Sequence, residues 1–376
     1  MARRPAPRKS AGRPNRKYRV GILGCGSTSR LFIGGWRHFP RKVEVAALCD
    51  VAPSQMADKK KLFPDVCGKA MEYTDYRKML AEADLDVVCI CSYSDKHLEH
   101  AEACLTADKH VFMEKPVGYD LEEARRFTYL SYKYSHLKVA VAYSLRYMKG
   151  WMEMKALLAS GRMGDVNTAK IAYSHPHGMH TSGLRRGRPA DPRRIPGGLV
   201  DGGGNYIASS QLTHATHPWD MARHLFGEVR EVFIGKGDRG GTMGILWMKS
   251  GALVHVLAGG ILGSKYGSNQ HEMVVANCDL GTAWLEWDKN AGEELVETCT
   301  YRTDGPIRKA PAVTGLTNAS HGAIIRSRNL LDAIEGKAEL ICSMADGAKT
   351  TELLHAVWLS ETLQIKVPVL SADKTG

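Results

Sequence analysis

Short, almost unbroken apolar runs punctuate the first part of the chain: Val20 to Leu23, Val43 to Cys49, Leu85 to Cys91, His110 to Met113 and Lys138 to Tyr143. Runs of this length without polar alternation predict strands covered on both faces, as in a parallel sheet. Helical segments separate them. Pro53 to Phe63 carries proline in its first turn, and a second helix is expected from about Asp95 to Asp108. A third begins at Asp120, with Glu122 and Glu123 in the first turn, where the helix dipole favours acids. Strand and helix alternate, so the expected fold class is α/β with a doubly wound parallel sheet.

From about Arg146 the texture changes. A helix from Trp151 to Ser160 leads to a strand, Asn167 to Tyr173, and then a long polar loop, His175 to Asn205. A loop of that length inside a compact chain is usually functional or disordered. A helix is expected from Ser209 to Phe226. Alternating runs follow at Val229 to Ile234, Thr242 to Met248, Ala252 to Ile261, His271 to Ala276, Thr282 to Trp287 and Glu294 to Thr300. They are separated by Gly or Asn turns and predict a large, open, mostly antiparallel sheet. Helices from Ala323 to Ile334 and Ala348 to Leu363 close the chain. The expected division is a basic tail over 1–17, a nucleotide domain over 18–145 and a second α/β domain over 146–376.

Composition narrows the class. The 376 residues suit two domains, and 44% hydrophobic content suffices for real cores. No apolar run approaches the ~20 residues of a membrane-spanning helix, and no apolar segment follows the basic start, so no secretory signal is expected. Nine cysteines with no C-x-x-C pair read as a reducing, cytoplasmic chain. Net charge is +11, but seven cations without an acid lie in residues 1–17. That Pro/Ala/Gly/Arg stretch predicts disorder. A solubilising role is preferred over nucleic-acid contact, because no aromatic interleaving accompanies it.

The candidate chemistry starts at the first strand. It ends in Gly24-Cys25-Gly26-Ser27-Thr28-Ser29, close to the G-x-G-x-x-G/A dinucleotide fingerprint. Two glycines permit a tight turn and close approach of a pyrophosphate, and the next helix points free N–H groups at the anion. Gly24, Gly26, Ser27 and Thr28 are therefore candidate cofactor contacts. Asp50 ends the second strand ~20 residues on, where a carboxylate can hold the ribose 2′-OH and repel a 2′-phosphate. NAD is thus favoured over NADP. Ser92, Ser94, Glu114 and Lys115 lie at further strand ends, where such sheets bind ligands. In Glu114-Lys115-Pro116 the proline fixes the chain's exit, and the lysine can acidify a substrate hydroxyl. In Thr213-His214-Ala215-Thr216-His217-Pro218-Trp219-Asp220, His217 and Asp220 are one turn apart, a general base with an orienting carboxylate. A zinc site from His214, His217 and Asp220, or from His175, His177 and His180, is the weaker reading, and no metal is expected.

Taken together, these blocks resemble the Gfo/Idh/MocA oxidoreductases, the glucose-fructose oxidoreductase and inositol dehydrogenase group, over roughly residues 18 to 370. The resemblance rests on GILGCGS, LCDVAP, DVVCICSYSDKH, Asp108-Lys109-His110-Val111 before Glu114-Lys115-Pro116, Arg146, Gly161-Arg162-Met163-Gly164 and HPWDMARHLFGEV. It implies a Rossmann domain, then an α/β domain whose open sheet makes homodimers or homotetramers, bound NAD(P), and sugar or cyclitol substrates. It implies Lys115 as the catalytic lysine, His217 as the catalytic histidine and Asp220 as the Asp one turn on. Ser92, Ser94, His97 and Glu114 would line the nicotinamide side, and Arg146, Thr213 and His214 the substrate.

The chain departs from the family at Thr213, where many members carry Asp, at the inserted-looking stretch Asn205 to Leu212, and at a loop holding Arg185, Arg186, Arg188, Arg193 and Arg194. The arginines suggest an anionic substrate, with a contact to a neighbouring subunit or a merely solvated loop as the alternatives. The expected activity is NAD-dependent oxidation of a secondary hydroxyl of a sugar, sugar acid or cyclitol. Two alternatives stand: a glycosidase working by transient C3 oxidation and elimination, with His214 moving the second proton, and a non-catalytic NAD-binding regulator.

Overall fold

The computed structural model describes residues 16–174, 199–200, 206–207, 216–236, 242–259, 271–288, 298–311, 313 and 322–371. Its first sheet has six parallel strands: β1 (Tyr18–Leu23), β2 (Val43–Cys49), β3 (Met71–Tyr73), β4 (Val87–Ile90), β5 (His110–Met113) and β6 (Val139–Val141). They lie in the order β3-β2-β1-β4-β5-β6, so the strand order reverses beside β1, at the crevice where such sheets bind dinucleotides. The apolar runs are explained by burial on both faces. Leu23, Val88, Ile90, Val111 and Met113 enter one core cluster, and Val20, Ile22, Val87, Cys89 and Phe112 enter the other. Neither β3 nor the helix Tyr76–Glu82 that follows it was anticipated. β3 has three residues, two of them exposed, and so shows no apolar run.

Helix α1 (Ser29–Trp36) covers the second of these clusters through Phe32, Ile33 and Trp36. It meets the helix Gly322–Ile334 at Gly35, where a Cβ would lie 2.4 Å from Ser327 Oγ and 2.6 Å from the Ala323 carbonyl oxygen. A C-terminal element is thus packed directly on the nucleotide-binding half.

The second sheet has nine strands, in the order Arg308–Lys309, Thr298–Arg302, Gly281–Asp288, His271–Cys278, Val166–Ser174, Leu253–Gly259, Thr242–Met248, Val229–Lys236 and Val367–Pro368. Every neighbouring pair is antiparallel except Leu253–Gly259 beside Val166–Ser174. Three helices bury its inner face: Lys149–Ala159 through Trp151, Met154 and Leu157, Thr216–Phe226 through Trp219 and Met221, and Met344–Leu363 through Leu353, Leu354 and Val357. The last helix begins earlier than its apolar pattern suggests because a capping box fixes its start. Ser343 Oγ accepts the Asp346 N–H at 3.1 Å, and Asp346 Oδ2 accepts the Ser343 N–H at 3.0 Å. The expected helix over Ser209 to Phe226 is described from Thr216, and the strand expected from Glu294 is described from Thr298.

Candidate active site

At the carboxyl edge of the parallel sheet, Gly24 follows β1 with φ +88°. A Cβ there would lie 2.6 Å from the Ser92 nitrogen, so only glycine lets β1 exit this close to the end of β4. A Cβ on Gly26, by contrast, would meet open space. Asp50 closes the loop from the end of β2. Its Oδ2 accepts the Cys25 N–H at 2.7 Å and its Oδ1 the Ala52 N–H at 2.9 Å. A carboxylate has about four acceptor positions, so capacity remains for a ribose hydroxyl. No side chain caps α1 at Thr28; the Arg30 and Leu31 N–H groups turn back to the Ser27 and Thr28 carbonyls at 3.3 and 3.0 Å, and the positive end of the helix dipole faces the loop where an anion would lie. Ser27 is exposed and Thr28 half-buried. Ser29, in place of the third glycine, is buried and donates to the Gly26 carbonyl at 2.7 Å. A close backbone approach, an uncapped helix start and a ribose-type carboxylate fit NAD. Burial pushes the Cys25 thiol up to about 12, consistent with a loop filler.

The next two strand ends carry the remaining expected cofactor residues. Ser92 pairs through Oγ with His100 Nδ1 at 2.9 Å, and Ser94 opens the short 3-10 turn Ser94–Lys96. His97 was expected to line the nicotinamide, but its side chain is almost fully buried. Its Nδ1 lies 2.7 Å from the Pro116 carbonyl and its Nε2 3.2 Å from the Ser92 carbonyl. Burial lowers its pKa, and the neutral ring has one N–H to donate. His97 is therefore a brace from the end of β4 to the turn after β5: its one N–H donates to one of these carbonyls, and its other nitrogen lies beside the second. In that turn the Lys115-Pro116 bond is cis, and Glu114 Oε2 accepts the Lys115 N–H at 2.7 Å. Lys115 is half-buried. Burial lowers its ammonium pKa, and the Glu114 carboxylate opposes that shift.

His217 comes from the second half of the chain, on the helix Thr216–Phe226. Tyr143, two residues beyond β6, meets its ring edge-on at a centroid distance of 6.2 Å, and Tyr173 flanks it at 6.0 Å. The imidazole is thus held at the end of the strand next to β5, the strand from which Lys115 leaves. Pro218 sits within the first turn, where a missing N–H disrupts nothing.

Two expected roles are corrected. Asp220 was expected to orient the imidazole, and Arg146 to touch substrate. Instead they bind each other. Arg146 Nε and Nη2 donate to Asp220 at 2.8 and 2.7 Å, and the Thr350 hydroxyl donates to Asp220 at 2.7 Å. The third guanidinium nitrogen, Nη1, donates to the Ile341 carbonyl. With 2% and 0% of the two side chains exposed, neither is offered to a ligand. A buried bidentate pair of this kind anchors the histidine's helix to the segment after β6. Thr213, His214, the His175, His177 and His180 trio and the arginine-rich loop lie outside the described residues.

Residues 18–143 match the family of GFO_IDH_MocA oxidoreductases with an NAD-binding Rossmann fold. That stretch, about a third of the chain, is similar to the family's NAD-binding Rossmann domain. The chain is 26% identical to myo-inositol 2-dehydrogenase of Thermotoga maritima, over 62% of this chain and 66% of that protein. It is 28% identical to inositol 2-dehydrogenase of Salmonella typhimurium, over 39% of this chain and 43% of that protein. The matched stretches thus span less than two thirds of these curated relatives. In structure, the WlbA dehydrogenase from Bordetella pertussis in complex with NADH and UDP-GlcNAcA superposes over 95% of this chain and 99% of its own. That likeness has a TM-score of 0.75 at 17% identity. Scyllo-inositol dehydrogenase from Lactobacillus casei with NAD(H) and scyllo-inositol superposes over 95% and 100%, with a TM-score of 0.72 at 20% identity. These likenesses show that the fold, including the nine-stranded sheet, is shared with both structures. Among the described residues no helix is long and apolar enough to cross a membrane.

Proposed function

We propose that the chain is an NAD-dependent dehydrogenase that oxidises a secondary hydroxyl of a sugar, sugar acid or cyclitol. The observation that carries this reading is Lys115. It leaves the end of β5 in a turn fixed by Glu114 and His97, with its pKa lowered by burial. A lysine so tuned donates a strong hydrogen bond to oxygen and sits closer to neutrality than a solvated one. His217, steadied between Tyr143 and Tyr173, takes the hydroxyl proton. Lys115 stabilises the alkoxide that develops as the carbinol hydride departs. The Gly24–Thr28 loop and the α1 start take the phosphates, and Asp50 takes the ribose. Bound along this edge, NAD supplies the hydride acceptor.

The names of the relatives support the substrate class: two are inositol dehydrogenases and one neighbour holds an acidic nucleotide sugar. The outer face of the nine-stranded sheet exposes Met243 by 48% and Leu253 by 40%, which suits a homo-oligomer across that face. The activity test is a panel of cyclitols, neutral sugars and uronic acids incubated with NAD and followed at the NADH absorbance. NADH accumulation with one class is the expected outcome. Release of free sugar from glycosides without net NADH would overturn net dehydrogenation in favour of redox-assisted cleavage.

A further inference from the structure

His97 does not hold the end of β4 alone. Three residues on, and so on the same face of the helix His97–Thr106, His100 turns its Nδ1 to Ser92 Oγ at 2.9 Å. His97 Nε2 lies 3.2 Å from the carbonyl of the same serine. One helix face thus meets Ser92 at both its side-chain and its backbone oxygen. His100 is 8% exposed, and its ring is itself walled in. Tyr76, from the helix Tyr76–Glu82, meets it edge-on at a centroid distance of 4.6 Å, and the Tyr76 hydroxyl is tied to Glu99 Oε1 at 2.8 Å. Ser92 is where such a hold has an effect. It stands two residues past β4, and its backbone nitrogen is the atom that a Cβ on Gly24 would strike. The Cys91 N–H donates to the Leu23 carbonyl at 2.7 Å, which keeps the ends of β4 and β1 side by side. Ser92 is half-buried, at the mouth of the crevice beside the glycine loop. A free serine hydroxyl samples three staggered rotamers. Burial lowers His100 to about 4, so its ring is neutral at pH 7. A serine hydroxyl has one donor and two acceptor positions. The bond to His100 uses one of them and leaves the others for a ligand.

We propose that His100 is a positioning residue for the dinucleotide: it fixes the rotamer of Ser92, so that the hydroxyl is already aimed when NAD binds. The inference rests on the cofactor reading above. His100 does not touch the reacting atoms. Its contribution is preorganisation, because a hydroxyl held in one rotamer beforehand need not be ordered by the cofactor. Tyr76 keeps the imidazole in its plane, and His97 keeps the serine backbone from turning away.

The test is a double-mutant cycle on NADH affinity, read by fluorescence titration of the full-length protein without substrate. H100L should weaken NADH about fivefold, the worth of one neutral hydrogen bond, and S92A by a similar factor. S92A/H100L should bind like S92A alone, since His100 acts only through the hydroxyl. H100N places an amide atom where Nδ1 stood and should recover most of the affinity. H100Q, whose amide falls one bond farther out, should behave like H100L. A merely structural His100 would lower the melting temperature in all three single variants, with NADH losses that add to that of S92A, and this outcome would overturn the proposal. If H100L does not fold, H100N and H100Q decide in its place: rescue by H100N alone supports the pairing, and equal affinities overturn it. In the cofactor-free protein the ¹⁵Nδ1 resonance of His100 should shift in S92A, and an unmoved resonance would also overturn the pairing. If the native protein binds no NADH, this inference falls together with the cofactor reading. If the cycle couples as expected and no sugar is turned over, the dehydrogenase reading falls and the His100–Ser92 pair stands.

Discussion

Arg146 lies across Asp220, with Nε 2.8 Å from Oδ2 and Nη2 2.7 Å from Oδ1, and almost nothing of either side chain reaches solvent. The pair ties the segment after β6 to the helix that carries His217, and Thr350 adds a bond from the helix Met344–Leu363. Three elements therefore converge on one carboxylate. Truncating it in D220A leaves a guanidinium buried without its partner, and about 3–5 kcal/mol of stability should be lost. A double replacement, R146M/D220L, should lose clearly less than D220A, because no charge is stranded. Urea denaturation of the three proteins measures this. If D220A loses less than about 1 kcal/mol, the pair is not an anchor.

Lys115→Met keeps the length and apolar stem of the side chain and removes the ammonium. The loop around Gly24, the start of α1 and Asp50 are untouched, so NADH should bind within a few-fold of native affinity. Turnover on whichever sugar or cyclitol proves active should fall by about 10²–10³-fold, the scale expected when a transition-state hydrogen-bond donor is lost. Fluorescence titration and initial rates separate the two effects. A variant that turns over near the native rate would remove Lys115 from the chemistry.

Much of the nucleotide-binding half was legible because its strands are buried on both faces and read as unbroken apolar runs. Asp50 was legible by its spacing from the glycines, and Lys115 by its place after a strand. The second half was legible as alternating strands, although the parallel pairing of Leu253–Gly259 with Val166–Ser174 has no local signature. What sequence spacing could not show is pairing at a distance. His217 and Asp220 are one helical turn apart, so they read as partners, yet Asp220 is claimed by Arg146, 74 residues earlier. His97 sits at a strand end like a ligand contact, but burial turned its ring to two backbone carbonyls. His100 stands in an ordinary amphipathic helix, and only the fold shows that it meets Ser92 Oγ. The one feature that could have drawn notice is its spacing of three from His97.

Three histidines give stability a definite pH dependence. Burial lowers His100 and His110 to about 4 and His224 to about 3, from an ordinary 6.5. Between those limits the unfolded chain binds protons that the folded chain refuses. Stability is fully present above pH 6.5 and is lost as the pH falls toward 4, at up to about 1.4 kcal/mol per pH unit for each group. His110 has a specific reason to stay neutral, since its Nδ1 accepts the Lys138 N–H at 2.9 Å. The melting temperature should therefore fall steadily from pH 6.5 to 5, above the range where exposed carboxylates titrate. H110Q, which keeps an acceptor but cannot gain a proton, should flatten part of that slope. A melting temperature constant across this window would contradict the burial assigned to these rings.

The glycine loop offers a test that separates backbone geometry from charge. In G24A the new methyl would sit 2.6 Å from the Ser92 nitrogen, on a residue with φ +88°. Backbone must move, because the obstructing atoms belong to the end of β4, and a non-glycine residue is strained at that φ, at a cost of about 1–3 kcal/mol. D50A keeps the backbone path but removes the acceptor for the Cys25 and Ala52 N–H groups. G24A should lower both the melting temperature and NADH affinity. D50A should weaken NADH about tenfold or more, the loss expected for hydrogen bonds to a charged group, while NADPH weakens less, because the repulsion of a 2′-phosphate is removed with the carboxylate. Parallel NADH and NADPH titrations of the two variants read this out. An equal loss for both cofactors in D50A would show that Asp50 serves only to brace the loop.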